Sequence, residues 1–291
     1  AKACYCIAVI EHRLDVVLPF VDKVFHVGGK RVREIKDKES YLKEQSVEIS
    51  DSCAVFCGGQ PVFSLSDVAF SVKDRVILNG VAFDILKGSR TVLFGENGCG
   101  KTTLLRLISR LEKPTRGVIL QNISGKFGQK SKQSKKWYKK VGVVYQNPDY
   151  QLFMPTVEKE IKFGAKSDEY DDEIAEKFGV KHLYVRHPQS LSEGQKRRVS
   201  IAAVVATAPE VLILDEPTVG QDYKGLCEMT EILNRIHEET KNTMITVTHD
   251  KRCAAALCDR AVWIKDGKVR KTGGKELAEE FFKDPTGNAK N

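Results

Sequence analysis

From Val62 onward, apolar stretches rich in Val, Ile and Phe alternate with stretches whose apolar residues recur at helical spacing. That alternation predicts an α/β domain built around a central sheet. Thr91-Val92-Leu93-Phe94 reads as a strand, a Gly-rich turn follows, and the apolar spacing predicts a helix over Thr102 to Ile108 packed on the sheet. Between Tyr150 and Pro209 the character changes to charged, helix-forming segments, Val157 to Phe163 and Asp171 to Phe178, with no convincing strand. This predicts a helical subdomain over about residues 150–208, inserted into the α/β core. A second run of strands follows, Val211 to Leu214, Thr243 to Thr248 and Ala261 to Ile264, with the amphipathic stretch Gly225 to Glu239 between the first two.

Ahead of Val62 the pattern differs. Lys36 to Pro61 is mostly polar, ends in Gly58-Gly59-Gln60-Pro61 and reads as a linker. The residues before it repeat the order seen near the C-terminus. Ile7-Ala8-Val9-Ile10 leads to Glu11-His12 as Met244-Ile245-Thr246-Val247 leads to Thr248-His249; Asp22 then answers to Asp259, and Val32-Arg33 to Val269-Arg270. Few identities support the repeat, but the shared order of strand, His, helix and strand does.

Composition narrows the class. With 41% hydrophobic residues among 291 the chain can build a real core, yet its longest uninterrupted apolar stretches, such as Ile201 to Ala206, fall far short of a membrane span. The start Ala1-Lys2-Ala3-Cys4 shows no signal-peptide pattern and suggests a fragment. Of eight cysteines only Cys53 and Cys57 are close, and without a second pair they make a poor zinc site, so reduced thiols are expected. Much of the net charge of +8 sits in Lys126, Lys130, Lys132, Lys135, Lys136, Lys139 and Lys140. Such a run is first a solvated loop, with contact to anionic lipid or nucleic acid as the alternative. No specific nucleic-acid partner is expected from it.

Two segments carry chemistry. Gly95-Glu96-Asn97-Gly98-Cys99-Gly100-Lys101-Thr102 fits G-x-x-x-x-G-K-[ST], and Thr103 continues it into the predicted helix. Glycines let backbone N–H groups turn inward around phosphate oxygens, and a helix N-terminus adds partial positive charge. Lys101 would meet the β- and γ-phosphates of ATP, and Thr102 would ligate Mg²⁺. The apolar Val211-Leu212-Ile213-Leu214 then delivers Asp215 and Glu216 to the carboxyl end of a buried strand, where ligands of α/β sheets bind. Asp215 would hold the Mg²⁺ and Glu216 would orient or deprotonate the attacking water, although an acidic pair ending a strand can also be purely structural. Cys99, inside the loop beside Lys101, is expected to have a lowered pKa and to be alkylated unless nucleotide protects it, the alternative being that the loop simply buries the sulfur.

The remaining motifs occur in the order and spacing of ATP-binding cassette (ABC) ATPases, which the chain resembles over about three quarters of its length. Leu191-Ser192-Glu193-Gly194-Gln195 resembles the family's signature sequence, in which Ser192, Gly194 and Gln195 would face the γ-phosphate held by a partner domain. Gln146, in Val143-Val144-Tyr145-Gln146-Asn147-Pro148, resembles the Q-loop glutamine that senses Mg²⁺; His249 resembles the switch histidine and Asp222 the D-loop aspartate at the dimer seam. Two positions depart from the pattern. Val72 stands where an aromatic ring usually stacks on adenine, with Phe70 as a possible substitute, and Glu193 stands where Gly is commoner. The resemblance implies the P-loop NTPase ABC fold: a central mixed sheet, an antiparallel β subdomain and an inserted helical subdomain.

Within the family, Tyr145 to Val157 is most similar to ATPase subunits of energy-coupling factor and cobalt or nickel importers, where this segment meets the membrane-embedded coupling subunit. The resemblance implies an ATPase on the cytoplasmic face of a membrane, driving micronutrient uptake through a separate transmembrane subunit, with a second cassette, fused or identical, as head-to-tail partner. The alternative is a soluble ABC ATPase acting on ribosomes or DNA. Only 44 residues separate Gln146 from Leu191, too few for the long coiled coil of the DNA-repair members. The expected organisation is a C-terminal remnant of a preceding cassette over 1–35, a linker over 36–61, the complete cassette over 62–282 and a tail over 283–291.

Overall fold

The computed structural model describes residues 7–9, 20–28, 31–38, 40–41, 59–123, 126–128 and 135–283. His12, the Cys53 and Cys57 pair, Lys130, Lys132, residues 42–58 of the expected linker and residues 284–291 lie outside the described residues.

In chain order, β1 (Val24–Gly28) and β2 (Arg31–Ile35) make an antiparallel hairpin. Then come β3 (Pro61–Val72), β4 (Arg75–Leu86), β5 (Arg90–Phe94), helix α1 (Lys101–Ile108), β6 (Arg116–Ile123), β7 (Lys126–Gly128), the short helix α2 (Lys135–Tyr138) and β8 (Val141–Val144). The next 66 residues before Val211 hold α3 (Val157–Lys162), α4 (Asp168–Lys177) and α5 (Glu193–Ala206), with no strand among them. The chain returns as β9 (Val211–Asp215), α6 (Tyr223–Thr240), β10 (Thr243–Val247), α7 (Lys251–Leu257), β11 (Arg260–Lys265), β12 (Lys268–Gly273) and α8 (Lys275–Lys283).

The central sheet runs β12-β11-β5-β10-β9-β8, parallel throughout except for the antiparallel β11–β12 pair, and is therefore mixed as expected. An all-antiparallel sheet, β4-β3-β6-β7, lies beside it. Strands β5, β9 and β10 are buried at every position, which is why they read as unbroken apolar runs. Their period-2 alternation sorts the interior into two cores. Val92, Phe94, Leu212, Leu214 and Met244 face the helical insertion, whereas Leu93, Val211, Ile213, Ile245 and Val247 face α1 and the antiparallel sheet.

Element ends follow local chemistry. Ser167 accepts from the Tyr170 amide and so starts α4 at Asp168, three residues before the expected Asp171. Pro61 opens β3, at the strand-first position proline tolerates, and α8 runs to Lys283. Ile7–Val9, expected as a strand, is exposed and unpaired: among the described residues it has no neighbouring strand, without which an apolar run gains nothing by extending. The face that carries the helical insertion is also covered by α8, where Phe281 packs 4.7 Å from Phe94 and 5.3 Å from Trp263 between ring centroids. A buried ion pair fastens β5 to the start of β11: the Arg90 guanidinium lies 2.6 Å from Asp259 Oδ1 and donates also to Asn234.

Candidate functional site

Sheet register assembles the site. Val247 lies level with Asp215 on one side and Leu93 on the other, so the loops leaving β5, β9 and β10 emerge at one carboxyl edge. These loops carry residues 95–100, Glu216 and Thr248-His249 respectively.

After β5 the backbone turns through Gly95 at φ +154° and Gly100 at φ +104° before α1 begins. A Cβ on Gly95 would sit 2.1 Å from the Ile264 carbonyl oxygen, and one on Gly100 would sit 2.6 Å from Leu78, so no larger residue fits either turn. Glu96, Asn97 and Gly98 are exposed at the loop tip, with Thr102 exposed and Thr103 half-buried in the first turn of α1. The Lys101 ammonium is buried, donating to the Gly95 carbonyl at 2.8 Å and the Glu96 carbonyl at 2.9 Å. It stands 3.9 Å from the Cys99 sulfur. Burial nevertheless pushes the Cys99 thiol up, against the downward pull of Lys101, so the expectation of a lowered pKa is corrected: desolvating a thiolate costs more here than one lysine returns.

Next to this loop, burial raises the Asp215 carboxyl, while a hydrogen bond from Thr102 and the charge of Lys101 pull it down. One oxygen, Oδ1, is buried with no hydrogen-bond partner. An orphaned acceptor of this kind costs about 1–3 kcal/mol unless something pairs it. The Thr102 hydroxyl opening α1 and the Asp215 carboxylate ending β9, beside the phosphate-binding loop, suit Mg²⁺, a hard cation that takes few protein ligands and keeps water and phosphate oxygens. Among the described residues no group of three His, Cys, Asp or Glu side chains could hold a metal unaided. Glu216 adopts φ +53° and is buried, and His249 holds its carboxylate twice, through the ring Nδ1 at 2.8 Å and the backbone N–H at 3.3 Å. The imidazole itself is 47% exposed, facing the open edge.

A cleft of about 350 Å³ brings the next group together, with Gln146, Asp149, Glu193, Arg197 and Gly220 along its walls. Gln146 is exposed. Ser192 caps α5 in a capping box, accepting from the Gln195 N–H while the Gln195 side chain accepts from the Ser192 N–H. Gly194 lies against the D-loop: its carbonyl accepts from Gln221 at 3.0 Å, and a Cβ there would meet that amide at 3.3 Å. Asp222 caps α6 by accepting from the Gly225 N–H at 2.7 Å, a structural task that spacing alone did not reveal. Glu193 stands 3.3 Å from Lys196, which offsets the extra negative charge it brings to the signature. Val72 ends β3 half-exposed, with Phe70 two residues before it in the same strand.

Sequence reasoning missed three residues. Arg197 is buried and donates to the backbone carbonyls of Tyr145 and, through a short hydrogen bond, Gln146. Gln151 folds back to accept from the Tyr145 N–H at 2.8 Å and donate to the Val143 carbonyl at 2.7 Å, extending the edge of β8 with its own amide. Glu160, buried, accepts from the N–H groups of Phe153 and Met154 and shapes the loop before α3. The signal in sequence for any of these is the Lys-Arg-Arg run that directly follows Gln195.

A family model described as ABC transporter matches residues 78–219. The energy-coupling factor transporter ATP-binding protein EcfA2 of Enterococcus faecalis is 40% identical over 205 residues, spanning 65% of this chain and 69% of that protein. The ATP-binding protein YkoD of Bacillus subtilis is 36% identical over 90% of this chain, which spans only 55% of YkoD. Among solved structures, cbiO1 from Clostridium perfringens, part of the ABC transporter complex cbiONQ, superposes with a TM-score of 0.66 at 32% identity over 77% of this chain and 91% of that one. The ATP-binding cassette MJ0796, dimeric in a post-hydrolysis state bound to ADP and Pi, superposes at 0.63 with 27% identity over 73% of this chain and 98% of that one. With a phosphate loop, an acidic strand end and a histidine meeting at one sheet edge, and with these relatives, the chain belongs to the ABC transporter ATP-binding family and is an ATPase.

Proposed function

We propose that the chain is the motor subunit of an energy-coupling-factor-type importer, driving micronutrient uptake through a separate transmembrane subunit. The observation that carries the chemistry is the convergence of Lys101, Thr102, Asp215, Glu216 and His249 on one sheet edge. In this reading Gly95 to Thr103 cradle the phosphates, Val72 supplies an aliphatic platform for adenine, and Lys101 leaves its two carbonyls for the β- and γ-phosphates. Thr102 and Asp215 hold Mg²⁺, with Gln146 reaching it from the Q-loop; the ion would neutralise charge developing on the phosphates. Glu216 orients and deprotonates the attacking water, and His249, already tethering that carboxylate, turns toward the γ-phosphate. Ser192, Gly194, Gln195 and Asp222 belong to the seam with a second cassette, whose site they complete.

Several observations support the finer assignment. The EcfA2 relatives and cbiO1 bear transporter names, and YkoD's name proposes import of HMP/thiamine. Among the described residues no helix is long and apolar enough to cross a membrane, so membrane contact calls for a partner. An edge-to-face pair, Phe153 and Phe163, with ring centroids 5.4 Å apart and exposures of 67% and 58%, lies beside the Q-loop and supplies the kind of apolar surface that a coupling subunit covers.

We assign residues 1–35 to the C-terminal end of a preceding cassette. Strands β1 and β2 form an antiparallel hairpin as β11 and β12 do, each one residue shorter and without the register shift between Trp263 and Ile264; next to the turn Val27 pairs with Val32 as Ile264 pairs with Val269. Phe25 and Val27 are exposed whereas their counterparts Val262 and Ile264 are buried against β5; Asp22 is likewise exposed whereas Asp259 grips Arg90. The match to YkoD covers more of the chain than residues 62–291 provide, so it reaches into this segment. Mild detergent extraction followed by identification of copurifying proteins tests the importer reading. A small integral membrane protein should copurify with the chain; sedimentation with ribosomes instead would overturn it. Sequencing the transcript upstream of the Ala1 codon should reveal a second P-loop and signature; a start codon immediately before Ala1, with no second P-loop and signature encoded upstream, would refute the tandem.

A further inference from the structure

The helix that begins at Ser192 and the loop that carries Gln146 are joined by charge. Arg197, one turn into α5, donates from one nitrogen to the Tyr145 carbonyl at 2.7 Å and from another to the Gln146 carbonyl. Its neighbour Lys196 reaches Asp149 at 2.9 Å while also contacting Glu193. The Arg197 guanidinium is buried, burial pulls its pKa down, and the compensating carboxylates are Asp215, Glu193 and Glu216. Its Nε is buried with no hydrogen-bond partner, and the residue lines the cleft between Q-loop, signature and D-loop. An apolar side chain would pack such a position at lower cost than a buried cation. The planar fork, however, holds two successive carbonyls from two separate nitrogens in a fixed geometry, whereas a lysine offers a single nitrogen on a flexible stem.

We propose that Arg197 and Lys196 are positioning residues that clamp the Q-loop to the signature helix, so that engagement of Ser192 with the partner's nucleotide is transmitted to Gln146 at this chain's own nucleotide. The inference rests on the head-to-tail pairing proposed above. The clamp makes the two sites of a dimer report on each other through one chain: the signature loop cannot move toward the partner without drawing the backbone of Tyr145 and Gln146 with it. Gln221, bonded to the Gly194 carbonyl on the other side, leaves the signature loop no independent path.

Hydrogen exchange on the full chain tests this, using Mg²⁺ with a non-hydrolysable ATP analogue and peptides spanning residues 95–105, 143–152 and 190–198, alongside steady-state ATPase kinetics. In the wild type all three peptides should become protected. In Arg197→Lys the phosphate loop should be protected as before, while exchange across 143–152 rises by roughly tenfold, the size of one lost charge-assisted hydrogen bond. Its kcat should fall by a comparable factor, with KM changing by less than about twofold because the binding loop is untouched. Asp149→Asn, at the surface, removes the outer strut without disturbing the core, and should raise exchange in the same peptide by about twofold to threefold. Wild-type protection and kcat in both variants would overturn the clamp while leaving the pairing intact. No protection of 190–198 in the wild type or the variants would overturn the pairing itself and the clamp with it.

Discussion

Glu216 is a glutamate in left-handed backbone, a conformation that costs on the order of 1–2 kcal/mol and needs the surrounding structure to enforce it. Its amide donates to the Val247 carbonyl and its carboxylate is held by His249, so side chain and strand end are fixed together. Glu216→Gln keeps that shape but cannot take a proton, and should lower phosphate release by about 10²–10⁴ while MgATP affinity stays at the wild-type value. Unchanged steady-state turnover would remove Glu216 from the chemistry. Lys101 behaves differently, because its ammonium organises the loop as well as meeting phosphate. Lys101→Ala should weaken MgATP binding itself, as read by nucleotide titration, and normal affinity would contradict the assignment. At Cys99 burial holds the thiol above the ordinary range, so little thiolate exists near neutral pH and alkylation should keep accelerating where a free thiol has levelled off. Mass spectrometry of the Cys99 peptide across pH, with and without MgATP, checks both the slow reaction and the nucleotide protection; labelling at neutral pH as fast as a free thiol would refute the buried state.

At the level of elements, what keeps the phosphate loop at the sheet edge is the anchoring of β5 between β10 and β11. The Arg90 and Asp259 pair, with both side chains nearly inaccessible, stitches the base of β5 to the turn before β11. Asp259→Asn leaves a buried guanidinium without its counter-charge and should lower unfolding stability by about 3–5 kcal/mol, measurable as a shift in urea midpoint. A midpoint within error of the wild type would mean that Asn234 alone satisfies Arg90. The same strand shows how alternation builds a site. Phe94 faces the helical insertion and Leu93 faces α1, so β5 delivers Gly95 from between two separately packed cores.

For the whole molecule, one chain supplies one phosphate loop and one signature, and in the pairing proposed here they serve different nucleotides. ATPase rate should then rise faster than linearly with protein concentration until dimers saturate. Strict proportionality, over concentrations where sedimentation shows a monomer, would mean that one chain completes its own site.

Much of this protein is legible without coordinates because its chemistry is local. The phosphate loop needs glycines at fixed spacing, and the buried strands must be apolar on both faces. The carboxylates follow such a strand directly, so Lys101, Thr102, Asp215 and Glu216 could be named from order alone. The insertion was visible because sheet periodicity gives way to charged helical segments between Tyr150 and Pro209. What only the tertiary structure decided are relations between residues far apart in the chain. That Glu216 is gripped by His249, that Arg90 finds Asp259, and that Arg197 holds the Q-loop carbonyls depends on strand order and register, which no local pattern encodes. The Cys99 correction has the same origin. Neighbours in sequence predicted a lowered pKa, but burial is set by everything packed around the loop, and desolvation outweighs one adjacent lysine.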